Sequence, residues 1–267
     1  MGHPADTFWA GRRVLVTGAT GFLGGWVVRQ LVAREAAVVA LVRGTPDPDS
    51  SFVRDRLFER VRVVRGRVED AARLTSALVL HDIETVLHLA APTVRPAGEP
   101  TEVRWAETLL TAVRRATPAA GVVIPVPAGS DLGAKISGLG ERCGVAVGIP
   151  ELPRLFGGGD RTWTRLVPRL ARAGVEGRPA APPTADELAA GYLAAHEGAA
   201  AVLRTAETVP AADPVVPSAT GSRLLAALVA DPTYVPGVPE ALAWYRRFLT
   251  DRRQPTTAAP TRTRRAA

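Results

Sequence analysis

The sequence predicts an α/β protein: a doubly wound parallel sheet followed by a small, mostly helical C-terminal region. Three observations carry that reading. Short β-branched runs alternate with longer amphipathic stretches through the first half, as a parallel sheet with crossover helices requires. A glycine-rich turn, TGATGFLG, joins the first such run to the first amphipathic stretch. Beyond Phe156 the pattern changes to helical segments separated by Pro-rich connections, GRPAAPPT at 177–184 and VPAADPVVP at 209–217.

The elements follow in order. Strands are expected at 13–17 (RVLVT), 37–42 (AVVALV), 61–65 (VRVVR), 85–90 (TVLHLA), 122–126 (VVIPV) and 145–149 (VAVGI). Apolar residues near i, i+3, i+4 and i+7 place helices at 22–34, 71–81, 101–116 and 131–143. In the second region the same spacing predicts helices at 163–173, 184–195, 221–229 and 238–250. No internal repeat is visible.

Composition narrows the classes. A chain of 267 residues with 46% hydrophobic and 22% charged side chains is long enough to bury a full core. No apolar run reaches the length of about 18 residues that spans a bilayer, and Met1 to Ala10 lacks the form of a leader, so neither a membrane nor export is expected. Cys143 is the single cysteine, which excludes an internal disulfide and fits a reducing, cytoplasmic setting. His3, His81, His88, His196 and Cys143 show no metal-ligand spacing. A formal charge of +7 invites a nucleic-acid partner, but the arginines are spread along the chain rather than gathered in a stripe with aromatics. Nucleic acid is therefore not expected. Arg252, Arg253, Arg262, Arg264 and Arg265 cluster among Pro, Thr and Ala in a tail, 251–267, expected to be disordered.

In the turn, Gly18, Gly21 and Gly24 stand three apart, directly after a strand and directly before a helix. Glycine suits a sharp turn, a close approach of main chain to pyrophosphate, and tight helix–strand packing, while the helix N-terminus favours the anion. Strand, turn, helix and second strand in that order predict a dinucleotide-binding Rossmann domain, 11–156, followed by a small substrate-binding region, 157–250. At the end of the second strand, where an acidic residue would bind the ribose 2′-hydroxyl of NAD, stands Arg43. A guanidinium there pairs with the 2′-phosphate of NADP(H) or, alternatively, is simply solvated.

TGATGFLG, VEDAARL after the third strand, LHLAA ending the fourth, RLFGGGD at 154–160, TADELAAGY and the terminal ALAWYRRF together resemble the extended short-chain dehydrogenase/reductase family, in its nucleotide-sugar epimerase and dehydratase branch. The resemblance covers 11–250. It implies that Gly18, Thr20, Gly21, Phe22, Leu23 and Gly24 contact the pyrophosphate and Arg43 the adenosine ribose. It implies that Arg67 and Val68 lie at the adenine, that Leu89, Ala90 and Ala91 line the cofactor, and that Leu152 and Pro153 face the nicotinamide. Arg67 stands where the family has Asp, so the usual adenine hydrogen bond is in question.

Chemistry in that family rests on a Tyr-x-x-x-Lys helix and a hydroxyl at the end of the fifth strand. Lys135, the single lysine among 33 basic side chains, sits where the family's lysine holds the nicotinamide ribose. Four residues before it stands Asp131 rather than tyrosine. Tyr192, Tyr234 and Tyr245 are followed four residues later by His196, Val238 and Leu249, so the motif exists nowhere in the chain. Val126 and Pro127 occupy the place of the hydroxyl. Asp131 or Ser130 reads as a helix cap. The expected site is wide and apolar.

Similar tyrosine-less members tailor aromatic polyketide antibiotics. The expectation is an atypical NADPH-dependent ketoreductase of a large small-molecule substrate of that kind, its proton coming from the substrate or water and its oligomeric state left open. A non-catalytic NAD(P)-binding redox sensor or scaffold is the alternative. A nucleotide-sugar epimerase or dehydratase is disfavoured by the missing tyrosine.

Overall fold

The computed structural model describes residues 4–92, 100–209 and 238–251. The expected helix at 221–229 and the expected tail beyond residue 251 lie outside them. After a short helix α1 (Pro4–Trp9), the first half is β1 (Arg13–Thr17), α2 (Phe22–Ala33), β2 (Ala37–Val42), the one-turn α3 (Ser51–Arg54), β3 (Arg62–Arg65), α4 (Ala71–Leu80), β4 (Thr85–His88), α5 (Thr101–Ala116) and β5 (Gly121–Val123). There follow β6 (Val126–Pro127), α6 (Leu132–Cys143), β7 (Val147–Gly148), β8 (Glu151–Leu152) and β9 (Arg154–Phe156). The remainder is α7 (Leu166–Glu176), α8 (Ala185–Ala189), β10 (Tyr192–Ala194), α9 (Ala195–Thr208) and α10 (Val238–Asp251).

Six strands form one sheet in the order β3-β2-β1-β4-β5-β7, and every pairing is parallel. The inner strands are apolar on both faces, since both are covered: β1 buries Val14, Leu15, Val16 and Thr17, and β4 buries all four of its residues. One layer of core joins Leu15, Leu87's neighbour Val86, Leu109 and Val122 to α4, α5 and α6. The other joins Val14, Val16, Val28, Leu31 and Val123 to α2 and α9. The chain order reverses between β1 and β4, so a crevice opens beyond their C-terminal ends.

Four expected strands are shorter than the β-branched runs suggested: β3 starts one residue later, at Arg62, and β4 stops at His88, two residues earlier. The run at 122–126 breaks at Pro125, which has no N–H for the ladder; Val126 and Pro127 leave the main sheet and pair with Glu151 and Leu152. The run at 145–149 keeps two residues in the sheet. In the second region the helix expected at 163–173 begins at Leu166, because Pro168 is tolerated in a first turn, and ends at Gly177, whose φ of 65° caps it. The helix expected at 184–195 is a correction. A Thr184–Glu187 capping box starts α8, which stops at Ala189, and Tyr192–Ala194 instead pairs in parallel with Arg154–Phe156. The sequence also contains a helix that its periodicity did not reveal: α9, Ala-rich and buried on Ala195, Gly198, Ala199, Val202 and Leu203. It packs on α2 and the sheet, although it lies within 157–250.

Phe156, Leu166, Val167, Tyr192, Val238 and Tyr245 form a third cluster around α7, β10 and α10. Tyr245 donates to the carbonyl oxygen of Asp160 at 2.7 Å, and Trp244 stacks on Phe248. Together they fix the 157–160 turn at one end of the crevice.

Candidate functional site

The glycine turn is shaped by steric necessity. Gly18 has φ +71°, and a Cβ on it would lie 2.6 Å from Ala90 N and from the carbonyl of Leu89, so only glycine lets β1 turn against the end of β4. A Cβ on Gly24 would collide with the Gly18 carbonyl, so Gly24 serves the packing of α2 on the turn. Gly21 donates its N–H to Gly18 O at 2.9 Å and precedes α2 with no side chain capping it. The N–H groups of the first turn of α2 have no intrahelical acceptor, and this bare cradle has the shape and polarity that a pyrophosphate needs.

Below the turn, Thr17 Oγ1 lies 2.7 Å from His88 Nδ1 and accepts the Ala90 N–H at 3.3 Å. His88 is buried, and burial holds its pKa down at about 4, so the ring is neutral at pH 7. The pair ties β1 to β4 at the strand-order reversal.

A cavity of about 820 Å3 begins at this turn. Gly18, Thr20, Gly21, Phe22 and Leu23 form its start, and Leu41, Arg43, Gly66, Arg67, Val68 and Glu69 one end. Arg67 is 3.8 Å from Glu69. Its middle is walled by Leu89, Ala90, Ala91, Ile124, Val126, Leu132, Ile136, Leu152 and Pro153. Arg154, Thr164, Arg165, Leu166, Val167, Glu187 and Tyr192 also line it.

Most residues expected at the cofactor therefore share one wall. Two do not. Gly24 lies behind the turn, for the packing reason given. Lys135, expected to hold the nicotinamide ribose, is not among the residues lining the cavity: its side chain is 45% exposed, and its ammonium lies 2.5 Å from Asp131 Oδ2. Leu132 and Ile136, buried and also four residues apart, face the cavity instead. Asp131 does not cap α6 with its side chain, and Ser130 donates its hydroxyl to Pro127 O at 2.7 Å. The Lys135 ammonium keeps the Asp131 carboxyl below its ordinary range.

Around Arg165 and Glu187 the charged groups hold one another. Asp160, buried, accepts from Thr162 N–H at 3.0 Å and from Arg165 at 3.2 Å. Glu187 takes a two-pronged bond from Arg169 at 2.9 and 3.3 Å and one from Thr184 N–H, and the guanidinium lowers its pKa. Tyr192 was visible in the sequence only as a tyrosine with no lysine four residues later; its place in the wall depends on the β9–β10 pairing, which no local signal announces.

Among the described residues there is no cluster of ligands for a metal ion and no helix long and apolar enough to cross a membrane.

Residues 14–122 match the NAD dependent epimerase/dehydratase family. Over 85 residues, 31% of this chain, the sequence is 47% identical to a dTDP-4-dehydro-6-deoxy-D-allose reductase of a Streptomyces species, covering 26% of that protein. Over 96 residues, 34% of this chain, it is 30% identical to tetraketide alpha-pyrone reductase 1 of Arabidopsis thaliana, covering 28% of it. The matches thus span about a quarter of these curated relatives' length. In fold, the chain is similar to a putative epimerase from Burkholderia cenocepacia J2315, with a TM-score of 0.69 and 21% identity over 85% of this chain and 82% of that one.

Proposed function

We propose that this chain is an atypical member of that epimerase/dehydratase family: an NADPH-dependent ketoreductase whose substrate is a large aromatic polyketide of the angucyclinone type, in antibiotic biosynthesis. The observation that carries the reading is the cavity, one space that begins at the glycine turn and is walled mostly by apolar side chains, with His88, Glu102 and Trp105 among them and Tyr192 the one phenol among the described lining residues. A flat, largely apolar ketone is complementary to those walls. Two relatives that match the chain are reductases, which supports reduction as the chemistry.

When bound, NADPH supplies the hydride. The residues of this chain do the rest. The first-turn N–H groups of α2 would hold the pyrophosphate, Arg43 would pair with the 2′-phosphate, and Val68 and Arg67 would lie at the adenine. Leu152 and Pro153 would face the nicotinamide, and the aliphatic side chains of Val126, Leu132 and Ile136 would exclude water from the reacting carbonyl. Positioning of donor and acceptor supplies much of the rate.

The second reading, a cofactor-binding sensor or scaffold, is favoured by one observation: Asp131 and Lys135, the positions of the family's acid and lysine, pair with each other away from the cavity. Turnover separates the readings. NADPH absorbance is followed with a panel of aromatic polyketide ketones and, beside it, a nucleotide 4-dehydro-sugar. Oxidation with the ketones supports the proposal, oxidation with the sugar alone refutes the substrate class, and tight binding without oxidation supports the sensor.

A further inference from the structure

We propose that Tyr192 is the catalytic proton donor of this cavity, a phenol supplied from β10 in place of the one missing from α6. The proposal rests on the reductase reading above.

Tyr192 is 4% exposed, its ring packed with Phe156 and Val167, and it lines the cavity. Its hydroxyl makes no hydrogen bond to any described residue, yet it is not among the polar atoms sealed away without a partner. Tyr245 shows the contrast: equally buried, it donates to Asp160 O at 2.7 Å. A buried phenol ordinarily finds an acceptor in the protein, so one left open toward a cavity is available to a ligand.

Its place in the chain trace puts it beside the reacting region. Tyr192 is the register partner of Arg154, which sets the two backbones about 4.8 Å apart, and Arg154 directly follows Leu152 and Pro153 in the cavity wall. Several other polar groups near the cavity are poorly suited. Glu187 is held as a carboxylate by Arg169. Ser130 is committed to Pro127 O and is not in the wall, and Thr20 belongs to the glycine turn.

The step balances. The carbonyl carbon gains hydride and forms a C–H bond while the C=O π pair moves to oxygen. That oxygen takes the Tyr192 proton and becomes the alcohol. The phenolate regains a proton from solvent, and the two electrons gained by the ketone are those lost by the dinucleotide. Tyr192 thereby replaces the substrate or water expected from the sequence as the proton source.

Tyr192→Phe removes only an oxygen that bonds no described residue, so the fold should survive. The chain has three tyrosines, so 3-fluorotyrosine labelling gives three fluorine signals, and the variant identifies that of Tyr192. Emodin, an aromatic ketone flanked by hydroxyls, added to the NADP+-loaded protein should shift the Tyr192 signal and leave that of Tyr245 in place. The variant should bind NADPH within about twofold of the parent and reduce the ketone about a hundredfold or more slowly. If the parent turns over and the variant stays within threefold, or if emodin binds with the Tyr192 signal unmoved, the proposal fails and the reductase reading stands. If the parent oxidises no NADPH with any ketone, both fail.

Discussion

Lys135 and Asp131 pair at 2.5 Å away from the cavity wall, while Leu132 and Ile136, one residue further along the same helix, look into it. Both pairs are four residues apart, and the phase of the helix turns the apolar pair to the cavity while the charged pair holds itself. Lys135→Ala should therefore leave NADPH affinity within about threefold of the parent. Isothermal titration measures it, and a loss of tenfold or more would put the ammonium back at the cofactor.

Arg43 stands in the cavity wall directly after β2. With NADPH as the proposed cofactor, the parent should bind NADPH more tightly than NADH, and Arg43→Asp should abolish that difference. A hydrogen-bonded charge pair is worth about 1.5–3 kcal/mol, or about ten- to a hundredfold in affinity. Equal dissociation constants for the two cofactors in the parent would contradict this assignment.

Gly18→Ala should destabilise the protein by well over 1 kcal/mol, since it combines φ +71° with a Cβ 2.6 Å from backbone that cannot yield. Thermal unfolding should show a clearly lowered midpoint and cofactor titration a lost site. A variant as stable as the parent would mean that the turn can open.

Stability should fall on acidification in a window set by His88. Its folded pKa, about 4, lies below the ordinary 6.5, so the unfolded chain takes up a proton first. The contribution is whole above pH 6.5, declines as pH falls, and is spent near pH 4. The gap corresponds to about 3 kcal/mol as an upper figure. Urea unfolding at several pH values checks it, and a flat profile between pH 7 and pH 4.5 would refute it.

What was legible in the sequence was local. RVLVT, the glycine turn and AVVALV announce β1, α2 and β2 because burial on both faces demands β-branched runs and the turn demands glycine. Helix α5 has the limits its periodicity predicts, Thr101–Ala116. Two things were not legible. The phase of α6 decides which residues face the cavity, and one residue turns a helix by about 100°, enough to exchange Lys135 for Ile136. The position of Tyr192 depends on pairing with a strand nearly forty residues earlier, Tyr192 to Arg154, and nothing in TADELAAGY distinguishes that strand from the end of a helix.

The most direct test of the ketoreductase reading follows the hydride itself. The protein is loaded with NADPH carrying deuterium at the transferring position of C4, mixed with an aromatic polyketide ketone, and the product is weighed by mass spectrometry. One deuterium on the new carbinol carbon, with one NADP+ formed per alcohol, is the predicted result. Tight NADPH binding with no deuterium delivered to any ketone in the panel would contradict it and leave the chain a cofactor-binding protein without turnover.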